Sequence, residues 1–135
     1  MPHLVINYTA ELEPELDMRA LCRALADALV TFRDEAGAQP FPTGGTRVFA
    51  YPARHSAVAD GQHDCAFAYF NLRIARGRSA AVKQAVGDTL AATIRQHLAP
   101  LLARRHVGLT LQVDEGAEVF DAKLGNLHAL YAKAR

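Results

Sequence analysis

The stretch Leu4-Val5-Ile6-Asn7-Tyr8, followed by an apolar stripe at helical spacing, decides the fold. The short run reads as a buried strand. After it, Met18, Leu21, Cys22, Leu25, Leu29 and Phe32 recur at i, i+3, i+4, i+7, i+11 and i+14, one face of a helix expected over residues 16–36. Gly37, Pro40 and Pro42 stop it in the usual order. A Pro- and Gly-rich loop over 39–45 leads to a second strand over 46–51. Strand, long helix, strand is then repeated. Residues 52–62 are polar, with a turn at Asp60-Gly61. Cys65 to Ile74 reads as a long strand, and Gly77 breaks it. Ser79 is a good N-cap for a helix carrying Val82, Val86, Leu90, Ile94, Leu98 and Leu101 on one face, with a kink expected at Pro100. Val107, Leu109, Leu111 and Val113 alternate with Gly108, Thr110 and Gln112, the pattern of a strand with one buried face.

Two βαβ-like halves follow, over about 2–60 and 61–120, in one domain spanning 1–135. Each helix must cover sheet, so the expected architecture is α/β (α+β): a two-layer sandwich of four strands and two helices in the order β-α-β-β-α-β. The uncovered sheet face stays apolar in places, which favours oligomers. A tail over 121–135, with Leu124, Leu127, Leu130 and Tyr131, is weakly helical and suits packing on another subunit.

Composition narrows the function. Half the residues are hydrophobic, enough for a real core at 135 residues. Net charge is +1, from 15 basic and 14 acidic residues, which argues against a nucleic-acid partner. No run approaches the roughly 18 apolar residues of a membrane span, and no signal peptide stands at the start, so the expected compartment is the cytoplasm. Cys22 and Cys65 lack metal-type spacing and read as small buried hydrophobes.

Pro2 is the candidate for chemistry. Initiator methionine is commonly removed before a small residue, which here leaves a free secondary amine. An α-amino group titrates at roughly 7.7–8.0, and burial or a nearby arginine lowers that value. An amine poised near neutrality is an effective general base. Proline at position 2 also occurs without such a purpose, and an attached Met1 would leave an amide nitrogen that cannot act as a base.

Pro2-His3, Gly45-Thr46-Arg47, Ala59-Asp60-Gly61-Gln62-His63-Asp64, Gly77-Arg78-Ser79, Phe41-Pro42 and Asn126-Leu127-His128-Ala129-Leu130 together resemble the 5-carboxymethyl-2-hydroxymuconate isomerase family of the tautomerase superfamily. The resemblance spans most of the chain; Val48 to Ala57 departs from it in detail. It implies homotrimers, an amino-terminal proline as catalytic base, and cofactor-free movement of a double bond in a ring-cleavage product of homoprotocatechuate. It implies Arg47 and Arg78 as ligands of an unsaturated di- or tricarboxylate, a task suited to the planar guanidinium fork. Each arginine has a plainer reading as a solvated surface charge, and Arg73 and Arg76 lie close to Arg78 in sequence. His3 is expected on the strand face away from the pocket, His63 in a turn, and Phe41, Phe67 and Tyr69 in the core. His128 has no metal partner by spacing. Two alternatives stay open: a superfamily tautomerase with another keto–enol or haloacrylate substrate, and a non-catalytic binding protein if Met1 is retained.

Overall fold

The computed structural model describes residues 1–132; Lys133, Ala134 and Arg135, the end of the expected tail, lie outside the described residues. The elements are β1 (His3–Thr9), α1 (Met18–Thr31), β2 (Arg47–Ala53), β3 (Cys65–Ile74), α2 (Ala80–Leu102), β4 (His106–Glu115) and α3 (Leu127–Ala132), with short 3₁₀ turns at Ala10–Leu12 and Thr43–Gly45. The strands form one mixed sheet in the order β2-β1-β3-β4. β1 runs parallel to β2 and antiparallel to β3, and β3 runs parallel to β4. The fold is α+β, as the sequence predicts.

Strand alternation sorts the two faces. Leu4 and Ile6 of β1, and Ala66, Ala68, Phe70 and Leu72 of β3, are fully buried beneath the helices. From α1, Leu21, Leu25 and Leu29 meet them; from α2, Val86, Leu90 and Leu98 do so. Burying a Leu-sized side chain contributes about 1.5–3 kcal/mol, so this layer dominates folding. Asp17 caps α1 by accepting from the Ala20 N–H at 3.0 Å. Ser79 caps α2 by accepting from the Val82 N–H at 3.2 Å. α2 continues through Pro100 to Leu102, carrying the whole expected apolar face.

α1 ends earlier than its sequence suggests, at Thr31 rather than 36. Arg33 Nη1 donates to the carbonyls of Val30 and Phe32, both at 2.9 Å, and closes the last turn. Asp34 Oδ1 then accepts from the N–H groups of Ala36 and Ala38, holding a tight loop in which Gly37 takes a φ of +79°. β2 extends two residues further than expected, through Pro52. It is an edge strand, where a residue without an N–H leaves no ladder bond unmade.

The other sheet face is uncovered in the single chain. Phe49 and Tyr51 stack there, ring centroids 6.3 Å apart, at 42% and 53% exposure. Phe67 and Tyr69 lie half-buried on the same face rather than in the core. Cys22 and Cys65 are likewise half-buried, and burial pushes the Cys22 thiol above its ordinary value.

Parallel pairing sets the functional geometry. His3 is the register partner of both Arg47 and Arg73, so the amino terminus, the start of β2 and the end of β3 share one end of the sheet. The segment 59–64, which precedes Cys65, lies at the Thr9 end of β1, roughly 20 Å away at strand rise. Arg105 fixes it there through ion pairs with Asp64 at 3.1 Å and Glu15 at 3.2 Å.

Candidate active site

Pro2 is buried at the start of β1, and its carbonyl accepts from the Arg47 N–H at 3.1 Å. This places Met1 at the mouth of a cleft of about 420 Å³ lined by Met1, His3, Arg47 and residues 122–128. A smaller hollow of about 90 Å³ adjoins it, lined by Met1, His3, Arg73–Ala75, Glu118, Asp121 and Lys123. Other depressions along α1 and beside residues 56–65 contain no terminal amine.

The cleft is cationic. Arg47 Nη1 donates to the Gly45 carbonyl at 3.1 Å, which aims the guanidinium back towards Met1. Arg78 stands behind the wall: Nη1 donates to the Ala75 carbonyl at 3.2 Å and Nη2 to the Pro40 carbonyl. Its guanidinium carbon lies 5.2 Å from the centroid of the Phe41 ring, which is fully buried as expected. Thus the Gly77-Arg78-Ser79 turn and the Pro40-Phe41 loop lock one another. Arg76 turns elsewhere, donating to the Gly116 carbonyl at 2.8 Å.

These charges act on the terminal amine. It is held below the ordinary α-amino value first by partial burial, then by the Arg78 guanidinium and Lys123; Asp121 and Glu118 pull the other way. The neutral, basic form is favoured. His3 is similarly held low, first by burial and then by Arg47 and the amine.

Sequence reasoning set His3 outside the pocket wall. It lines both hollows instead, because the chain turns into the cleft at Pro2 and the uncovered sheet face forms part of the wall. In the tail, α3 docks on the Thr43–Gly45 turn of its own chain, while Leu124, Leu130 and Tyr131 stay exposed. A Cβ on Gly44 would lie 2.9 Å from His128 Cα, so the two backbones meet where only glycine fits. This docking brings Lys123 and His128 to the cleft. The sequence pattern places neither there, since neither shows motif spacing; the co-occurrence of Gly44-Gly45 with Asn126-Leu127-His128 is the available signal. His63 lies in its loop at the far end, where Asp60 Oδ1 accepts from the Gln62 N–H at 3.0 Å. The structure therefore gathers Pro2, Arg47 and Arg78 at one end and leaves the Ala59–Asp64 string at the other. Among the described residues no cluster of His, Cys, Asp and Glu is arranged to hold a metal ion. No described helix is long and apolar enough to cross a membrane.

Comparison with known proteins gives the family. A family model described as 5-carboxymethyl-2-hydroxymuconate isomerase matches residues 2–131. A 5-carboxymethyl-2-hydroxymuconate Delta-isomerase from Escherichia coli is 30% identical over 97% of this chain and 99% of its own length. A crystal structure of a 5-carboxymethyl-2-hydroxymuconate delta-isomerase superposes with a TM-score of 0.93 at 58% identity, covering 97% of this chain and 93% of that one. A 5-carboxymethyl-2-hydroxymuconate isomerase from Deinococcus radiodurans R1 superposes with a TM-score of 0.85 at 35% identity, covering 96% and 93%. Since these matches run along nearly the whole sequence and the fold follows them, the chain is an isomerase that belongs to the 5-carboxymethyl-2-hydroxymuconate isomerase family.

Proposed function

We propose that the protein converts 5-carboxymethyl-2-hydroxymuconate to its 2-oxo isomer, in the degradation of aromatic compounds, with the Pro2 nitrogen as general base. The observation that carries this reading is the amino terminus at the mouth of a cationic cleft, where burial and then Arg78 hold the Met1 amine below the ordinary α-amino value. Removal of Met1 transfers the amine to Pro2, which lies one residue deeper at the start of β1.

The reaction needs few parts. Pro2 nitrogen takes the proton of the 2-hydroxyl group, and the O–H pair becomes the carbonyl π bond. The double bonds shift along the conjugated chain, and the protonated amine returns the proton to carbon in a 1,3- or 1,5-type transfer. Proton and electron counts balance with no other reactant. Negative charge spreads to the oxo and carboxylate oxygens during the shift. Arg47, lining the cleft, binds a carboxylate there. Arg78 adds a fixed positive charge and has N–H groups not committed to Ala75 and Pro40. Fixed cations stabilise this charge more in the transition state than in the ground state.

The stacked Phe49 and Tyr51 on the uncovered face support a homotrimer assembled through the sheets, with the domain taken as the whole of 1–135. The test of function follows ultraviolet absorbance of 5-carboxymethyl-2-hydroxymuconate with protein whose mass lacks Met1. Accelerated loss of the dienol chromophore is expected; a rate equal to buffer refutes the proposal. A panel of phenylpyruvate-like enols and haloacrylates separates this substrate from others of the superfamily.

A further inference from the structure

The side chain of Met1 marks a point that two other residues face. His128 Nε2 lies 3.2 Å from its sulfur, and Arg47 Nη1 lies 3.9 Å from the same atom. When Met1 leaves, that point becomes empty space beside the Pro2 nitrogen, with an imidazole and a guanidinium turned towards it. We infer that His128 is a substrate-binding residue that shares one carboxylate with Arg47, the carboxylate oxygens taking the position of the methionine sulfur. This rests on the reading of the cleft as the substrate site.

Three observations favour His128 over the other basic groups nearby. Its position is fixed by backbone: Gly44 and Gly45 are buried, and a Cβ on either would press against His128, at 2.9 Å from Cα and 3.2 Å from Cε1 respectively. Lys123 is already engaged with Asp121 at 2.5 Å. Arg73 is paired with Glu118 at 3.4 Å. The chemistry also calls for another donor, because the muconate backbone ends in two carboxylates and its carboxymethyl branch adds a further one. A hydrogen bond to a charged group contributes about 1.5–3 kcal/mol, which corresponds to roughly tenfold to a hundredfold in affinity.

The experiment is a double-mutant cycle in Met1-free protein with His128→Ala, Arg47→Ala and the pair, read as KM and kcat for 5-carboxymethyl-2-hydroxymuconate. His128→Ala should raise KM on the order of tenfold or more and change kcat less. His128→Gln, which keeps a donor, should recover part of the loss. The double variant should lose less than the product of the single losses, because both arms hold one group. An unchanged KM in His128→Ala, or strictly multiplicative losses, would overturn the shared site. Should the wild type show no turnover, the base assignment fails separately, and calorimetric binding of the same compound to the four proteins decides the His128 question by the same criteria.

Discussion

Replacing Arg78 tests two of its tasks at once, and two variants separate them. Its side chain donates to the carbonyls of Ala75 and Pro40 and lies over the Phe41 ring, so it ties the β3–α2 turn to the loop after α1. In Arg78→Ala both carbonyls lose a charged donor. With about 1.5–3 kcal/mol for a bond to a charged group and about 0.5–2 kcal/mol for the aromatic contact, discounted for water reaching a half-exposed site, the expected destabilisation is about 2–4 kcal/mol. After burial, the same charge is the largest one lowering the pKa of the Met1 amine, and at Pro2, once Met1 is removed, it should act in the same direction. A base works only when unprotonated, so kcat/KM falls as pH drops through the amine pKa. Removing Arg78 raises that pKa towards the ordinary α-amino value, and the acid limb moves to higher pH. Loss of a transition-state cation adds a decrease on the order of 10²-fold at the plateau. Arg78→Lys keeps the charge without the fork, so its limb should stay near the wild type while affinity and stability fall. The assay is kcat/KM against pH alongside denaturant unfolding, on protein of verified mass. An Arg78→Ala acid limb that does not move, or moves down, would refute the electrostatic reasoning.

Gly44→Ala should detach α3, because its new Cβ would meet backbone at 2.9 Å rather than a flexible side chain; we expect about 1–3 kcal/mol of destabilisation and a KM rise like that of His128→Ala, measured by unfolding and steady-state kinetics. Phe70→Ala removes a fully buried ring between the sheet and the helices, so unfolding should become easier by about 3–5 kcal/mol per chain. A charge on the uncovered face, as in Phe49→Glu, should shift sedimentation equilibrium from a trimer towards the monomer mass while leaving the secondary structure seen by circular dichroism intact.

The fold was readable because its two periods are clean. Leu4, Ile6 and Tyr8 alternate at two, and Met18 through Phe32 repeat at helical spacing, so the element order and the covered face followed directly. Boundaries were harder where a side chain competes with the helix: Asp34 and Arg33 end α1 before the glycine that the pattern names as its stop. The candidate cleft is only partly legible in the sequence. Pro2 stood out by its chemistry and Arg47 by its loop, but Lys123 and His128 reach the cleft through a tail whose docking depends on one glycine contact, which no period reports. His3 was misjudged because alternation tells which sheet face a residue takes, not where a cleft opens on that face. The segment 59–64 carried the resemblance most distinctly, yet it sits at the opposite end of β1 from the amine.

The central claim is that the Pro2 nitrogen is the base, and the most direct measurement compares one protein with and without Met1. Treating a Met1-bearing preparation with methionine aminopeptidase, and following intact mass and isomerase rate together, should give activity that rises in proportion to the fraction of chains beginning at Pro2, from a baseline near the uncatalysed rate. Equal activity in fully Met1-bearing and fully processed protein would contradict the account, because an amide nitrogen cannot accept the proton.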